Sequence, residues 1–355
     1  MYSANNEALS SILDHISQSI RERVVFQTYQ DPDAAALWCA ATYFMEVWNT
    51  FPKILIVSPE RECGKTTMLQ ALEPFARNAF LASNITPAAL YRLIEAEAPT
   101  LLIDEADTFL KHNLELQCLI NAGHTRRLAC KVLTIPTPDG QHTSKRVPLW
   151  CAQVIAGIGE FADTIHSRSI VIGLRRKGAN EDIVYLDDQF FDEQADIRVA
   201  LERISVETGK AVLELDVPKP ASAVNRRWDN WKPLFQIAAL AGGGWPDRAR
   251  EAFEELEVTQ KAYSSEMSSN ELLLALRDLI DQKSPPEISS TVLLDTLLRS
   301  APDWHTANNG RAITSKWLTN QLRPYGVQAR KRAKSNVYLI ADLADAFRRY
   351  LPPKS

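Results

Sequence analysis

An α/β fold built on a parallel sheet is predicted by three observations. The apolar, β-branched run Ile54-Leu55-Ile56-Val57 passes through a short polar loop into Gly64-Lys65-Thr66-Thr67, which opens a helical stretch. A second apolar run, Pro99 to Ile103, ends in the paired carboxylates Asp104 and Glu105. Strand-like and helix-like stretches alternate around both, the pattern of parallel strands joined by crossover helices.

Bulk composition sets the limits. A chain of 355 residues has room for two or three domains, and 45% hydrophobic with 24% charged residues is a globular composition. No apolar run approaches the ~20 residues that span a bilayer. The N-terminus MYSANNEALS lacks the basic-then-apolar form of a signal peptide, so a cytoplasmic protein with no membrane partner is expected. Cysteines 39, 63, 118, 130 and 151 show no C-x-x-C spacing, which argues for reduced thiols rather than zinc or disulfides. A net charge of −4 means that any nucleic-acid contact must rest on local charge.

Residues 7 to 22 carry apolar positions at helical spacing, and Asp31-Pro32-Asp33 starts a second helix. Val24 to Tyr29, just before the loop, are candidate contacts to a nucleotide base. The strand–loop–helix at 53–67 makes a phosphate cradle, because loop amides and the helix N-terminus aim N–H groups at an anion. Pro59, Glu60, Arg61, Glu62, Cys63, Gly64 and Thr67 form its wall, Lys65 reaches the β- and γ-phosphates, and the Thr66 hydroxyl ligates Mg²⁺. The pattern G-x-x-x-x-G-K-[ST] asks for glycine where this chain has Pro59, a residue with far narrower backbone freedom. In the acidic strand, Asp104 would hold Mg²⁺ through water and Glu105 would polarise the attacking water. Either motif alone is also what an ordinary strand and surface turn look like. In this order and spacing they predict a nucleotide-binding domain using ATP and Mg²⁺, with GTP left open. Cys63 inside the loop predicts that thiol alkylation blocks nucleotide binding.

Further along, Thr86 and Pro87 cap a helix, and 113 to 129 reads as another. A hairpin over 131–150 turns at Asp139-Gly140, and strands at Leu149 to Ala156 and Ser169 to Leu174 complete the sheet. The tetrad Asp104-Glu105-Ala106-Asp107 spells the D-E-A-D box of RNA helicases. Such an enzyme needs a second tandem motor domain and a Ser-Ala-Thr element, and this chain has neither. A single motor core must find its charge-neutralising arginine elsewhere. Arg168, at a helix end before the last core strand, is the candidate: given in trans it would stabilise the transferring phosphoryl and imply a ring, most simply a hexamer. A solvated helix-end arginine is the plain alternative.

The order of phosphate loop, acidic strand, hairpin insertion and Ser167-Arg168-Ser169 resembles the AAA+ ATPases. More narrowly, Ser58-Pro59-Glu60, Cys63-Gly64-Lys65-Thr66, Pro99 to Asp107, Asp229-Asn230-Trp231-Lys232-Pro233 and Ala241-Gly242-Gly243 resemble an uncharacterised ATPase domain that accompanies primase–helicase proteins of phages, plasmids and integrated elements. In that family Ser-Pro at the start of the loop is usual. The resemblance covers roughly residues 30 to 355. After the N-terminal helical segment (1–45) read from apolar spacing, it implies an AAA+ core (46–177) and an α-helical lid (178–265). Arg226 or Arg227 is then either a second sensor on the γ-phosphate or a packing corner with buried stems. AAA+ enzymes place a polar sensor at the end of the fourth strand. Here that strand reads Val154-Ile155-Ala156-Gly157, leaving Gln153 a poor substitute.

The last segment, 266–355, reads as helices, a two-strand ribbon and a closing helix: a winged helix-turn-helix domain. Thr314 to Leu322 would be its recognition helix and Arg330 to Lys334 its wing. Lys316, Arg323, Arg330, Lys331, Arg332 and Lys334 lie in a stretch without a single acid. On the hairpin, Lys145 and Arg146 would grip a strand in a ring's pore, or are simply solvated charges. Together these imply an ATP-driven motor on single- or double-stranded DNA, of helicase or replication-initiation type in a mobile element, working beside a separate primase or replication partner. The alternative is a nucleotide-dependent switch, loader or defence-associated ATPase whose winged helix binds a protein.

Overall fold

The computed structural model describes residues 2–110, 113–159, 161–223, 225–262, 269–280, 285–308, 311–332 and 335–351. Its strands are β1 (Lys53–Ser58), β2 (Ala79–Ala82), β3 (Thr100–Ile103), β4 (Cys130–Pro136), β5 (His142–Pro148), β6 (Gln153–Ile158), β7 (Ser169–Gly173), β8 (Glu287–Ser289), β9 (Arg330–Lys331) and β10 (Asn336–Leu339). Five of them form one parallel sheet in the order β2-β3-β6-β1-β7. Apart from Lys53, Ser58 and Gln153 at their ends, the central strands β1 and β6 are apolar because helices cover both faces. Ile54 and Ile56 face one core, with Val154 and Ile172. Leu55 and Val57 face the other, with Ile103, Ile155 and Val171.

The helices Pro87–Glu97 and Leu114–Ala122 cover the second face. On the first face lies Asp31–Thr42, a helix with all twelve residues buried. Its five alanines (34, 35, 36, 40 and 41) let neighbouring helices approach closely, so it is apolar nearly all round rather than amphipathic. Its two acids bond within the fold, although Asp31 Oδ1 is buried without a hydrogen-bond partner. Asp31 accepts from the Thr28 amide at 2.9 Å, and Asp33 accepts from Ser17 and from the Arg248 guanidinium at 2.6 and 3.0 Å. Burial pushes the Asp31 carboxyl up to about 7, against the lowering effect of those hydrogen bonds.

Arg248 belongs to the helix Trp245–Ala262, which with Asn225–Ala241 packs on the N-terminal helices and β7. The stretch expected as a lid thus shares a layer with residues 1–45, and no residue from 178–265 lines the cavity described below. The expected hairpin is present as β4 and β5, antiparallel from Cys130↔Pro148 to Pro136↔His142, with Gly140 at φ +78° in the turn.

The last segment has the helices Ser269–Leu279, Ser290–Ser300, Ser315–Leu322 and Ile340–Tyr350 beside a three-stranded antiparallel sheet, β8-β10-β9. It docks firmly on the core. Tyr350 accepts from the Arg176 amide at 3.1 Å, the Arg349 carbonyl accepts from the Arg176 guanidinium at 2.9 Å, and Arg349 pairs with Glu181 at 2.6 Å.

Candidate active site

The C-terminal ends of β1, β3 and β6 meet at one edge of the sheet, where open α/β folds bind ligands. A cavity of about 570 Å³ lies there, lined by the loop from Arg61 to Thr67 and by Asp104, Glu105, Asp107, Thr108 and Ile158. The two motifs meet across it: Thr66 Oγ1 donates to Asp104 Oδ2 at 2.6 Å. Lys65 Nζ donates to Ser58 Oγ at 2.9 Å and to the Glu60 carbonyl at 3.4 Å, and burial lowers its pKa. Its ammonium therefore sits among neutral oxygens, able to turn to a phosphate. Gly64 opens the helix Lys65–Leu72 at φ +83°, a left-handed conformation that costs glycine little. A Cβ there would meet Val24 Cγ1 at 3.0 Å, so the loop is packed against the N-terminal segment as well as turned. Pro59 and Glu60, expected in the wall, do not line the cavity. Arg61 is held through its carbonyl by Arg176 at 3.0 Å.

Glu105 follows β3 with φ +50°, exposed at the cavity mouth. Its amide donates to Asp104 Oδ1 at 2.8 Å, and its carbonyl accepts from Thr108. A side chain forced left-handed costs about 1–2 kcal/mol, a strain that clusters at functional positions. Thr66 and Asp104 offer hydroxyl and carboxylate oxygens at one point, the hard donor set that suits Mg²⁺.

Other expected residues fall elsewhere. Arg168 is beside Lys53, whose amide donates to the Arg168 carbonyl at 3.0 Å, at the opposite end of β1 from the loop. Arg226 donates to Ser167 Oγ at 3.0 Å on that same edge. Arg227 lies over the Phe253 ring at 3.7 Å and donates to the carbonyls of Ser222 and Phe253. Neither arginine reaches the cavity of its own chain, because Asn225–Ala241 starts from the far edge. Val24 touches the loop glycine and Phe26 bridges to Leu174, while Tyr29 is exposed under Arg21.

Several expected DNA contacts already carry carboxylates. Lys145 pairs with Glu95 at 2.8 Å, Arg323 with Glu255 at 3.5 Å, Arg330 with Asp342 at 3.6 Å and Arg332 with Glu287. Arg323 is half-buried against the core, not part of an outward face. Arg146, Lys316 and Lys331 are exposed without an ion pair among the described residues. Lys334 lies outside the described residues.

Asp107 and Ser58, which stand inside the quoted motifs without a role assigned to them, are site residues. Asp107 Oδ1 accepts from the Ile158 amide at 3.0 Å, joining the acidic strand to the end of β6 where a polar sensor was expected. A Cβ on Gly157 would stand 2.7 Å from that carboxylate and 2.5 Å from the Phe161 ring. Gly157→Ala should therefore destabilise the fold by about 1–3 kcal/mol and displace Asp107, read as a lower melting temperature together with weaker nucleotide hydrolysis. Cys63 is buried, its thiol pushed up by burial and donating to the Arg61 carbonyl at 3.5 Å. Alkylation as a probe of the loop is corrected accordingly. In native protein Cys118 and Cys130, both exposed, should label first. Cys39, Cys63 and Cys151 should label only on unfolding, as peptide mass mapping would show.

Fold and cavity together define a mixed α/β protein with a phosphate-loop-like core. A family model described as "Protein of unknown function (DUF3631)" matches residues 173–350, just over half of the chain. The chain belongs to that family. It is 32% identical over 138 residues to an uncharacterized 28.9 kDa protein in the xis 5' region of Saccharopolyspora erythraea; the match takes in 36% of this chain and 50% of that protein. The chain thus spans about half the length of this curated relative. Among solved structures it is similar to the apo C-terminal region of NrS-1, at 12% identity and a TM-score of 0.33 over 92% of this chain and 74% of that one. It is also similar to SCCmec type IV Cch, described as an active helicase, at 10% identity and 0.33 over 87% and 68%. Drosophila ORC bound to DNA follows at 11% and 0.21 over 95% and 92%. Superpositions this loose leave the functional reading to the geometry of the site.

Proposed function

We propose that this chain is an AAA+-type ATPase that uses hydrolysis to act on DNA, as a helicase or replication-initiation motor of a mobile element. The observation that carries the ATPase reading is the 2.6 Å bond from Thr66 to Asp104, which joins phosphate loop and acidic strand across a cavity of triphosphate size. Loop amides and Lys65 bind the phosphates, and Glu105 takes a proton from the attacking water. Thr66 and Asp104 would hold Mg²⁺, which supplies charge neutralisation on the phosphate oxygens. Arg168 is offered to a neighbouring subunit, since a strand of six residues spans roughly 17 Å and carries it away from its own cavity. DNA contacts rest on Arg146 of the hairpin and on Lys316 and Lys331 of the C-terminal unit, whose helix–strand–helix–helix–ribbon order suits a winged helix. The paired cations Lys145, Arg330 and Arg332 can join them, because ion pairs this exposed are weak and a DNA phosphate displaces the carboxylate.

One observation favours the switch as a second reading. Arg176 joins the Arg61 carbonyl in the loop to Arg349 and Tyr350 of the last helix, so loop movement is passed directly to the C-terminal unit. Steady-state ATP hydrolysis with and without single- and double-stranded DNA, against a Lys65→Ala blank, separates the two. Stimulation by DNA supports the motor. Hydrolysis indifferent to DNA supports the switch, and a wild type no better than the blank refutes both.

A further inference from the structure

The N-terminal edge of the sheet holds a cationic cluster that, among the described residues, no carboxylate pairs with. Arg168 donates to the Thr164 carbonyl at 2.8 Å, and Arg226 to Ser167 Oγ at 3.0 Å. Asn230, one turn on from Arg226, donates to the Ser167 carbonyl at 3.1 Å and bonds the buried His124 ring at 2.8 Å. One helix start therefore clamps the corner that presents Arg168 and adds a second guanidinium beside it. Neither arginine has an ion pair among the described residues. Burial, and then the neighbouring Arg226 charge, lower the Arg168 pKa. Behind them Lys53 is fully buried and lowered to about 7, and His124 to about 4, each mainly by burial. Two arginines held side by side with no acid among them call for a polyanion, and planar guanidinium forks suit phosphate.

Building on the proposed ATPase, we infer that Arg226 is a second trans-acting arginine, which joins Arg168 on the nucleotide of a neighbouring copy rather than sensing its own. Three features select that occupant. The pair lies beside β7, the edge strand of the sheet. It faces away from its own cavity across the length of β1. The cavity mouth, which carries the carboxylates of Glu62 and Glu105, is complementary in charge. In the assisted step the water oxygen bonds to the γ-phosphorus as its bond to the β-bridging oxygen breaks. Glu105 takes the proton, and ADP and inorganic phosphate leave. The two guanidinium groups share the charge that builds on the phosphoryl oxygens.

Mixing full-length variants tests this. Arg226→Ala should hydrolyse ATP roughly 10- to 100-fold more slowly than wild type, yet bind a fluorescent ATP analogue within about twofold, since the trans arginine acts on the transition state. Its exposed position spares the fold, and the retained affinity verifies that. Lys65→Ala binds no nucleotide but keeps its arginines. Mixed in equal amounts, the two variants should recover activity, because about one interface in four then joins an intact cavity to an intact pair. Arg226→Lys should recover less than wild type, having lost the planar fork. No recovery in the mixture, with the wild type active, overturns the trans role. Unchanged hydrolysis by Arg226→Ala with weakened DNA binding reassigns the pair to DNA and also overturns it. A wild type without hydrolysis overturns the ATPase reading itself, a separate and visible failure.

Discussion

Lys65→Ala is expected to lose ATP affinity by at least 10²-fold or so, and hydrolysis by more, two charge-assisted hydrogen bonds being worth about 1.5–3 kcal/mol each. The lysine is poised for this. Its ammonium is buried enough to be lowered in pKa, yet it meets only the Ser58 hydroxyl and the Glu60 carbonyl. A phosphate arriving in the cradle supplies the anion that this position lacks. The loop amides and helix dipole remain in the variant, but the dipole contributes only about 0.3–1 kcal/mol. Stability should change little, since no ion pair is broken. Titration with a fluorescent ATP analogue, beside thermal melting, checks both halves. Affinity within twofold of wild type would remove Lys65 from the phosphate site.

The residues that made the sheet readable are those whose surroundings repeat locally. Ile54 to Val57 and Leu101 to Ile103 are apolar on both pleat faces because both faces are covered, and that is visible in one dimension. So is the pair Asp104-Glu105, since a carboxylate ends a buried strand only where the sheet opens to solvent or ligand. The Thr66–Asp104 contact is not visible in that way. It depends on β6, from far along the chain, slotting between β1 and β3. The same holds for the cations of the C-terminal unit: Arg332 reads as free until Glu287 of β8 is placed beside it, and β8, at three residues, is too short to show a period. Resemblance leaves Arg226 as either a γ-phosphate sensor or a packing corner. Its real neighbour, Ser167, is 59 positions away in sequence and on the other edge of the sheet. Asp107 went unassigned because its role follows from the Ile158 amide, not from the residues beside it.

Glu105→Gln should bind ATP normally and hold it unhydrolysed, with the chemical step slowed by about 10²–10⁴-fold, the usual contribution of a positioned general base. Binding survives because the phosphate contacts belong to the loop, and Glu105 stands outside it at the mouth of the cavity. Glutamine keeps the length of the side chain and the backbone hydrogen bonds that hold position 105 left-handed, from its amide to Asp104 and from Thr108 to its carbonyl. Only the proton acceptor is lost. Single-turnover hydrolysis, with the nucleotide recovered from the protein after a chase, should return ATP from the variant and ADP from the wild type. Two other carboxylates are near enough to substitute, and their bonds distinguish them. Asp104 is occupied by the Thr66 hydroxyl and the Glu105 amide, and Asp107 by the Ile158 amide. Oxygens already engaged in this way are less available to an attacking water than the exposed carboxylate of Glu105. If Glu105→Gln turns over at the wild-type rate while Asp107→Asn does not, the base is Asp107 and the strain at Glu105 serves only to aim Asp104.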